Sequence, residues 1–306
     1  MRRLSLFDAG FLLAEKRETP MHVAGLHLFT LPKGADEHTF LHTLADGLRS
    51  ADDFQPPFGD RLKVGPLGAL GPAYWEPDKS LDIDYHIRHS ALPKPGRYRE
   101  LFSLVSRLHS QLLDRNRPLW EIHLIEGLQN RQFAAYMKFH HAAIDGVRSI
   151  HLTQSMYSTN QRERVRYSPL SMQAAERYRD MVAKTLPGGG EPPSERELRN
   201  VAEVLKAQFA SGNHVLGALR RIAGAWAGAG GTLTVPWRGV PRSPINTEVD
   251  GARRFVAQSW PFARIRAVGK ALDGTFNDAV LAMCSGALRG YLRDQRGLPK
   301  ESLKAM

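Results

Sequence analysis

The sequence predicts an α/β protein of mixed sheets flanked by helices, arranged as two domains of which the second is incomplete in this chain. Three observations carry that reading. Short apolar runs of strand length are interleaved with segments whose apolar residues recur at helical spacing. Pro187-Gly-Gly-Gly-Glu-Pro-Pro193 separates two such stretches as a linker. Beyond it, one strand and two helices precede residue 306, and a unit of roughly 60 residues with so little strand is marginal as an independent core. The expected organisation is a first domain over 1–186, a linker with crossover helices over 187–244, and the start of a second domain over 245–306.

In chain order, residues 22–31 alternate β-branched and apolar side chains as a strand, and Phe40, Leu41, Leu44 and Leu48 give 36–50 a helical period. From Gln55 to Pro95, Pro and Gly break the chain into short extended pieces such as Leu81 to His86. Leu101, Phe102, Val105, Leu108 and Leu112 return 99–113 to a helix. Pro118-Leu119-Trp120 leads into an apolar run from Glu121 to Leu128. A polar turn, Gln129-Asn130-Arg131, and a second run, Phe133 to His140, complete the pattern of a β-hairpin. A helix through Ile150, Leu152, Met156 and Tyr157 follows. Past the linker, Ser194 and Glu197 form a capping-box pattern for another helix. A Gly- and Ala-rich stretch, 223–231, precedes an extended segment from Val235 to Pro244. Phe255 to Pro261 reads as a strand. Helices are expected over Phe262 to Leu272 and Phe276 to Leu292, the second capped by Thr275 with Asp278 three residues on.

The composition, 42% hydrophobic and 24% charged over 306 residues, excludes wholesale disorder. Lys and Arg outnumber Asp and Glu by 42 to 31, a net charge of +11 that would suit nucleic acid, an anionic membrane surface or a phosphate-bearing substrate. The excess is scattered, as in Arg162-Glu163-Arg164-Val165-Arg166. No zinc-finger spacing, RNP-like signature or basic heptad helix accompanies it, so no nucleic-acid partner is expected. Cys284, the one cysteine, precludes an internal disulfide and fits a reducing compartment. The N-terminus meets Asp8, Glu15 and Glu18 too early for a signal peptide, and no stretch reaches the roughly 18 apolar residues of a spanning helix. A cytoplasmic protein is the expectation.

His140 and His141 end the second hairpin strand. Successive strand side chains point to opposite faces, so the two do not share a site, and one is expected to face a cleft while the other packs inward. The same alternation, with no His-Glu-x-x-His spacing, argues against a metal site built from both. An imidazole near neutral pH can take a proton from a hydroxyl. No Gly-x-Ser-x-Gly elbow is present, and Cys284 lacks a nucleophile signature, so direct group transfer is favoured over a covalent intermediate. Asp145, followed by Gly146 at the strand-to-helix turn, can orient that loop through an arginine or backbone donors. A satisfied histidine beside a turn Asp-Gly competes with this reading on the local pattern alone.

His140-His141-Ala142-Ala143-Ile144-Asp145-Gly146 resembles the His-His-x-x-x-Asp-Gly motif of the CoA-dependent acyltransferase superfamily, which includes chloramphenicol acetyltransferase and peptide-synthetase condensation domains. Within it, the chain is similar to the bacterial wax ester synthase/diacylglycerol acyltransferase family. Pro118-Leu119-Trp120-Glu121 matches that family's Pro-Leu-Trp element, and Asn277-Asp278 its Asn-Asp element. Leu4-Ser5-Leu6-Phe7-Asp8 and Thr19-Pro20-Met21-His22-Val23 are similar as well. The resemblance implies a two-domain chloramphenicol-acetyltransferase-like fold whose halves enclose a tunnel. It implies His141 as general base, Asp145 as mainly structural, and Asn277 and Asp278 as support from the second domain. Helix capping competes for Asn277 and Asp278, and core packing for Trp120. Arg253-Arg254 could attract CoA phosphates or stand as a solvated pair.

The implied reaction moves a long-chain acyl group from acyl-CoA, a substrate, to a long-chain alcohol or diacylglycerol, with no cofactor and no metal. Peripheral contact at a membrane or lipid-droplet surface is a further expectation. The apolar stretch 215–235 is its candidate, although helix packing between domains explains that stretch equally well. Family members continue past this end point, so a companion C-terminal fragment is an expected partner. Two alternatives stay open: a condensation-type enzyme using a carrier-protein thioester, and a non-catalytic fragment that binds a partner chain.

Overall fold

The computed structural model describes residues 1–65, 73–144, 146–158, 160, 167–185 and 241–303. Asp145, the Ser194–Glu197 capping pattern, the 215–235 and 223–231 stretches and most of the 187–244 linker lie outside the described residues. The elements in chain order are β1 (Arg2–Arg3), α1 (Leu6–Ala14), β2 (His22–Thr30), α2 (Glu37–Arg49), β3 (Asp60–Val64), β4 (Ala73–Pro77), α3 (Ile83–His86), β5 (Ile87–Ala91) and α4 (Tyr98–Ser110). The hairpin strands β6 (Trp120–Leu128) and β7 (Gln132–His140) follow, then α5 (Gly146–Met156), α6 (Met172–Thr185), α7 (Phe262–Ala271) and α8 (Phe276–Asp294). Two compact units result: Met1–Pro192 with Val249–Val256, and Pro193–Glu248 with Ala257–Met306.

In the first unit, a four-stranded sheet runs in the order β2-β7-β6-β5 and a three-stranded one in the order β1-β4-β3. β7 is antiparallel to β2 and β6, with His22 opposite His140 and Trp120 opposite Phe139. β5 pairs parallel with β6, Ile87 opposite Ile122. The hairpin turns through Asn130 and Arg131, both in the left-handed region at φ 60° and 55°. The strands are nearly continuous in burial because both sheet faces are covered. On one face, Leu124 and Ala135 meet Ala45 of α2, while Trp120, Ile122, Met137 and Phe139 meet Phe58, Ile144 and Leu152. On the other, Ile125, Ala134 and Tyr136 meet Leu101, Val105 and Leu108 of α4. Each large apolar side chain so buried contributes about 1.5–3 kcal/mol. Gly96, in the left-handed region at φ 73°, admits no side chain, since a Cβ there would sit 1.9 Å from the Gly127 carbonyl oxygen.

Local signals explain the element starts. Ser5 caps α1 by accepting the Asp8 N–H, Asp36 caps α2 by accepting that of Thr39, and Glu100 closes the first turn of α4 onto the Arg97 N–H. Two expected elements differ. Leu81 to His86 was to be extended, yet Asp82 accepts the Tyr85 N–H and nucleates α3; the strand begins at Ile87, where β6 supplies a partner. Phe255 to Pro261 was to be a strand but has no ladder among the described residues. The Phe255 N–H goes instead to Ser106 Oγ at 2.8 Å, and its ring meets Phe102 edge-on at 5.3 Å.

In the second unit, α7 and α8 form a helical pair, with the Phe262 and Phe276 rings 4.7 Å apart. A reciprocal capping box starts α8: Thr275 Oγ1 accepts the Asp278 N–H, and Asp278 Oδ2 accepts the Thr275 N–H at 2.7 Å. Among the described residues no helix is long and apolar enough to cross a membrane.

Candidate active site

β7 ends at His140, and His141 is the first residue of the turn that follows. His140 is fully buried. Its N–H goes to the Leu119 carbonyl at 3.0 Å, its Nδ1 accepts the Ala142 N–H at 3.0 Å, and its Nε2 lies 3.3 Å from Glu15 Oε1. An amide N–H can only donate, so Nδ1 carries no proton and the ring proton sits on Nε2, toward the carboxylate. His140 therefore has no free basic nitrogen.

His141 is partly exposed and lines a cavity of about 270 Å³. Arg2, Arg3 and Asp8 of the N-terminal segment, Trp75, and Arg148 of α5 line it too. The Phe11 ring of α1 stacks on the imidazole, centroids 4.2 Å apart and planes at 15°. The His141 N–H donates to the Met21 carbonyl at 2.8 Å, and its Nδ1 is buried with no hydrogen-bond partner among the described residues.

Glu15, which caps the C-terminus of α1, organises the turn from below. Oε1 accepts the Met21 N–H at 3.1 Å; Oε2 accepts Arg115 Nε at 3.2 Å and Nη2 at 3.0 Å. Burial by itself would raise its pKa. Contacts with His140, the Met21 amide and Arg115 more than offset that and bring it to about 2, so Glu15 is a carboxylate at any working pH.

A second buried carboxylate lies on the same face of the sheet. Glu121 has His123 Nε2 at 3.1 Å, Lys138 Nζ at 3.5 Å and Arg88 Nη2 at 3.6 Å. Lys138, also fully buried, donates to the Leu108 and Gln111 carbonyls at the end of α4, both at 3.0 Å. Beside it, His22 Nε2 lies 2.8 Å from the His109 carbonyl, and His109 Nδ1 lies 2.9 Å from the Tyr136 hydroxyl. Burial, helped by the Lys138 charge, depresses the His22 pKa to about 4.

Of the other residues singled out, Pro118 and Leu119 are buried where β6 begins, and Leu119 accepts from His140 directly. Trp120 is fully buried, stacks on His86 at 4.5 Å and donates from Nε1 to the Phe58 carbonyl at 2.7 Å, as a core aromatic does. Gly146 opens α5. Asn277 and Asp278 lie in the first turn of α8, in the second unit, where Asp278 serves the capping box. Arg253 donates to the Asp250, Ala252 and Glu18 carbonyls. Cys284 is exposed. Among the described residues no group of three or more His, Cys, Asp or Glu side chains could hold a metal ion. The sequence reading passed over Glu15 and Phe11. The Ser5-x-x-Asp8 pattern would have signalled α1, but nothing local ties Glu15 to His140.

The model of the wax ester synthase/diacylglycerol acyltransferase catalytic domain matches residues 4–280. A Mycobacterium tuberculosis protein named as a probable diacylglycerol O-acyltransferase, tgs2, is 40% identical over 98% of this chain and 62% of its own length. The O-acyltransferase WSD of Acinetobacter baylyi is 36% identical over 100% of this chain and 63% of its own. Among solved structures, the wax ester synthase/diacylglycerol acyltransferase of Marinobacter aquaeolei superposes with a TM-score of 0.69 at 39% identity, covering 98% of this chain and 63% of that one. The first condensation domain of the calcium-dependent antibiotic synthetase shares the fold, with a TM-score of 0.52 at 17% identity. The chain thus spans about 62% of the length of the curated relatives it matches.

Proposed function

We propose that this chain, which belongs to the wax ester synthase/diacylglycerol acyltransferase family, transfers a long-chain acyl group from acyl-CoA to the hydroxyl of a long-chain alcohol or a diacylglycerol. The observation that carries the assignment of roles is the contrast between the two histidines. His140 is fully buried, with Nδ1 accepting from Ala142 and Nε2 facing Glu15, whereas His141 lines a cavity. In this reading His141 Nε2 takes the hydroxyl proton as the acceptor oxygen attacks the thioester carbonyl carbon. The tetrahedral intermediate collapses with cleavage of the C–S bond, and the imidazolium returns the proton to the departing CoA sulfur. Acyl-CoA is a substrate, and the chemistry calls on no metal or prosthetic group. Both acceptors are lipids, so peripheral contact with a membrane or lipid-droplet surface belongs to the proposal.

The test is thiol release from palmitoyl-CoA with and without hexadecanol. The unaltered chain should release CoA in an alcohol-dependent way, and His141→Ala should lower the rate by about 10²–10⁴-fold. Equal rates in the two proteins would remove His141 from the mechanism. No release from the unaltered chain would overturn the claim that these residues suffice for transfer.

A further inference from the structure

We propose that Glu15 is a positioning residue for the reaction, acting through His140 and Met21 to set the place and orientation of His141; the proposal rests on His141 being the base. Three connections meet at this carboxylate. It closes the C-terminus of α1, the helix whose Phe11 stacks on the His141 ring. It accepts the N–H of Met21, whose carbonyl in turn accepts the N–H of His141. It faces Nε2 of His140, whose Nδ1 accepts the Ala142 N–H just beyond His141. The backbone on both sides of His141 is therefore referred to one buried anion, itself fixed by Arg115 from the loop before β6.

The chemistry calls for a carboxylate. Its two oxygens accept three N–H groups, Met21 on Oε1 and Nε and Nη2 of Arg115 on Oε2, and Oε1 also lies 3.3 Å from His140 Nε2. A glutamine has one acceptor oxygen. Whichever way its amide turns, the NH₂ meets either the Arg115 guanidinium or the Met21 and His140 donors. The ionised state also keeps the ring proton of His140 on Nε2, which leaves Nδ1 free to hold Ala142. Losing that arrangement moves His141 without removing it, and a displacement of about 1 Å at a reacting group can cost about 10²-fold in rate.

The experiment is Glu15→Gln in the full chain, read in two ways. Long-range ¹⁵N imidazole spectra report on the histidines whether or not the chain turns over. The unaltered chain should show His140 with a proton on Nε2 and Nδ1 as the acceptor of the Ala142 N–H. E15Q should lose that fixed tautomer and shift the His141 ring resonances. In the thiol-release assay, kcat should fall by about 10²-fold while KM for palmitoyl-CoA changes by less than about threefold, the signature of a contact that matters for reaction geometry and not for substrate binding. Adding His140→Asn to E15Q should cost less than the product of the two single effects, because both act through one contact. Unchanged histidine spectra in E15Q, or a loss carried by KM alone, would overturn the proposal. Altered spectra in a chain without turnover would keep Glu15 as the anchor of the motif while removing the acyl-transfer reading. Should E15Q fail to fold, Glu15→Asp keeps the charge and withdraws it by one methylene. It should then lower kcat while preserving the His140 tautomer, and an unaltered kcat would count against the proposal.

Discussion

On one face of β7, Phe139, Met137 and Ala135 meet Trp120, Phe58, Ile144 and Ala45; on the other, His140, Lys138 and Tyr136 meet Glu15, Glu121 and the carbonyls that end α4. The first face is held by contacts between carbon atoms, which accept any side chain of suitable volume. The second consists of charges and dipoles whose removal from water is compensated only by particular partners. One strand thus combines a tolerant surface with an exacting one, and the exacting one leads to the motif. His140, the last residue of β7, belongs to the buried polar face, and His141, the first residue of the turn after it, lines the cavity.

The sharpest way to break this contrast is Lys138→Met. It should destabilise the chain by about 3–5 kcal/mol, since it leaves Glu121 buried without its ammonium partner and uncaps the α4 carbonyls. Urea denaturation checks the value. Combining it with Glu121→Leu should cost less than the sum of the single effects, because the orphaned charge is then gone. Additive losses would mean that the pair is not what the polar face depends on.

Acid provides an intermediate effect. The His22 pKa is held at about 4, against an ordinary value of 6.5, because burial disfavours its charged form. Between those values the unfolded chain binds a proton that the folded chain refuses. Stability is therefore full above about pH 6.5 and declines as pH falls toward 4. Glu15 adds a loss in a lower window, from its ordinary 4.5 down to about 2, as its carboxylate takes up a proton. The urea midpoint should drop between about pH 7 and 5, and His22→Gln, which does not titrate, should lessen that drop. An equal drop in the variant would assign the effect to other groups, such as His86 or His109, whose pKa values burial also lowers.

The smallest effect belongs to the apolar face. Met137→Leu keeps volume and hydrophobicity and should change stability by less than about 1.5 kcal/mol, measured by the same denaturation. A larger loss would show that the apolar face is as exacting as the polar one.

Several features were legible in the sequence because a few neighbouring residues encode them. The hairpin followed from two apolar runs and a polar turn. The expected helices at 36–50, 99–113 and 276–292 correspond to α2, α4 and α8 within a few residues at each end. Thr275 and Asp278 announced the start of α8, and the capping box there engages the very carboxylate that family resemblance offered to the active site. Strand alternation predicted that the two histidines would part, but the strand ends at His140 and His141 opens the turn after it.

Long-range closure decided the rest. Ile87 to Ala91 becomes a strand because β6 lies beside it, and Phe255 does not, because Ser106 and Phe102 of α4 take its N–H and its ring. Sequence determined that one histidine of the pair would face inward; the tertiary structure decided which one, by bringing Glu15 to His140 from the far end of the unit and Phe11 to His141. The physical reason is the range of the forces involved. Periodicity and capping act within a turn or two of chain, while the cost of a buried charge is met by whichever distant group the fold delivers.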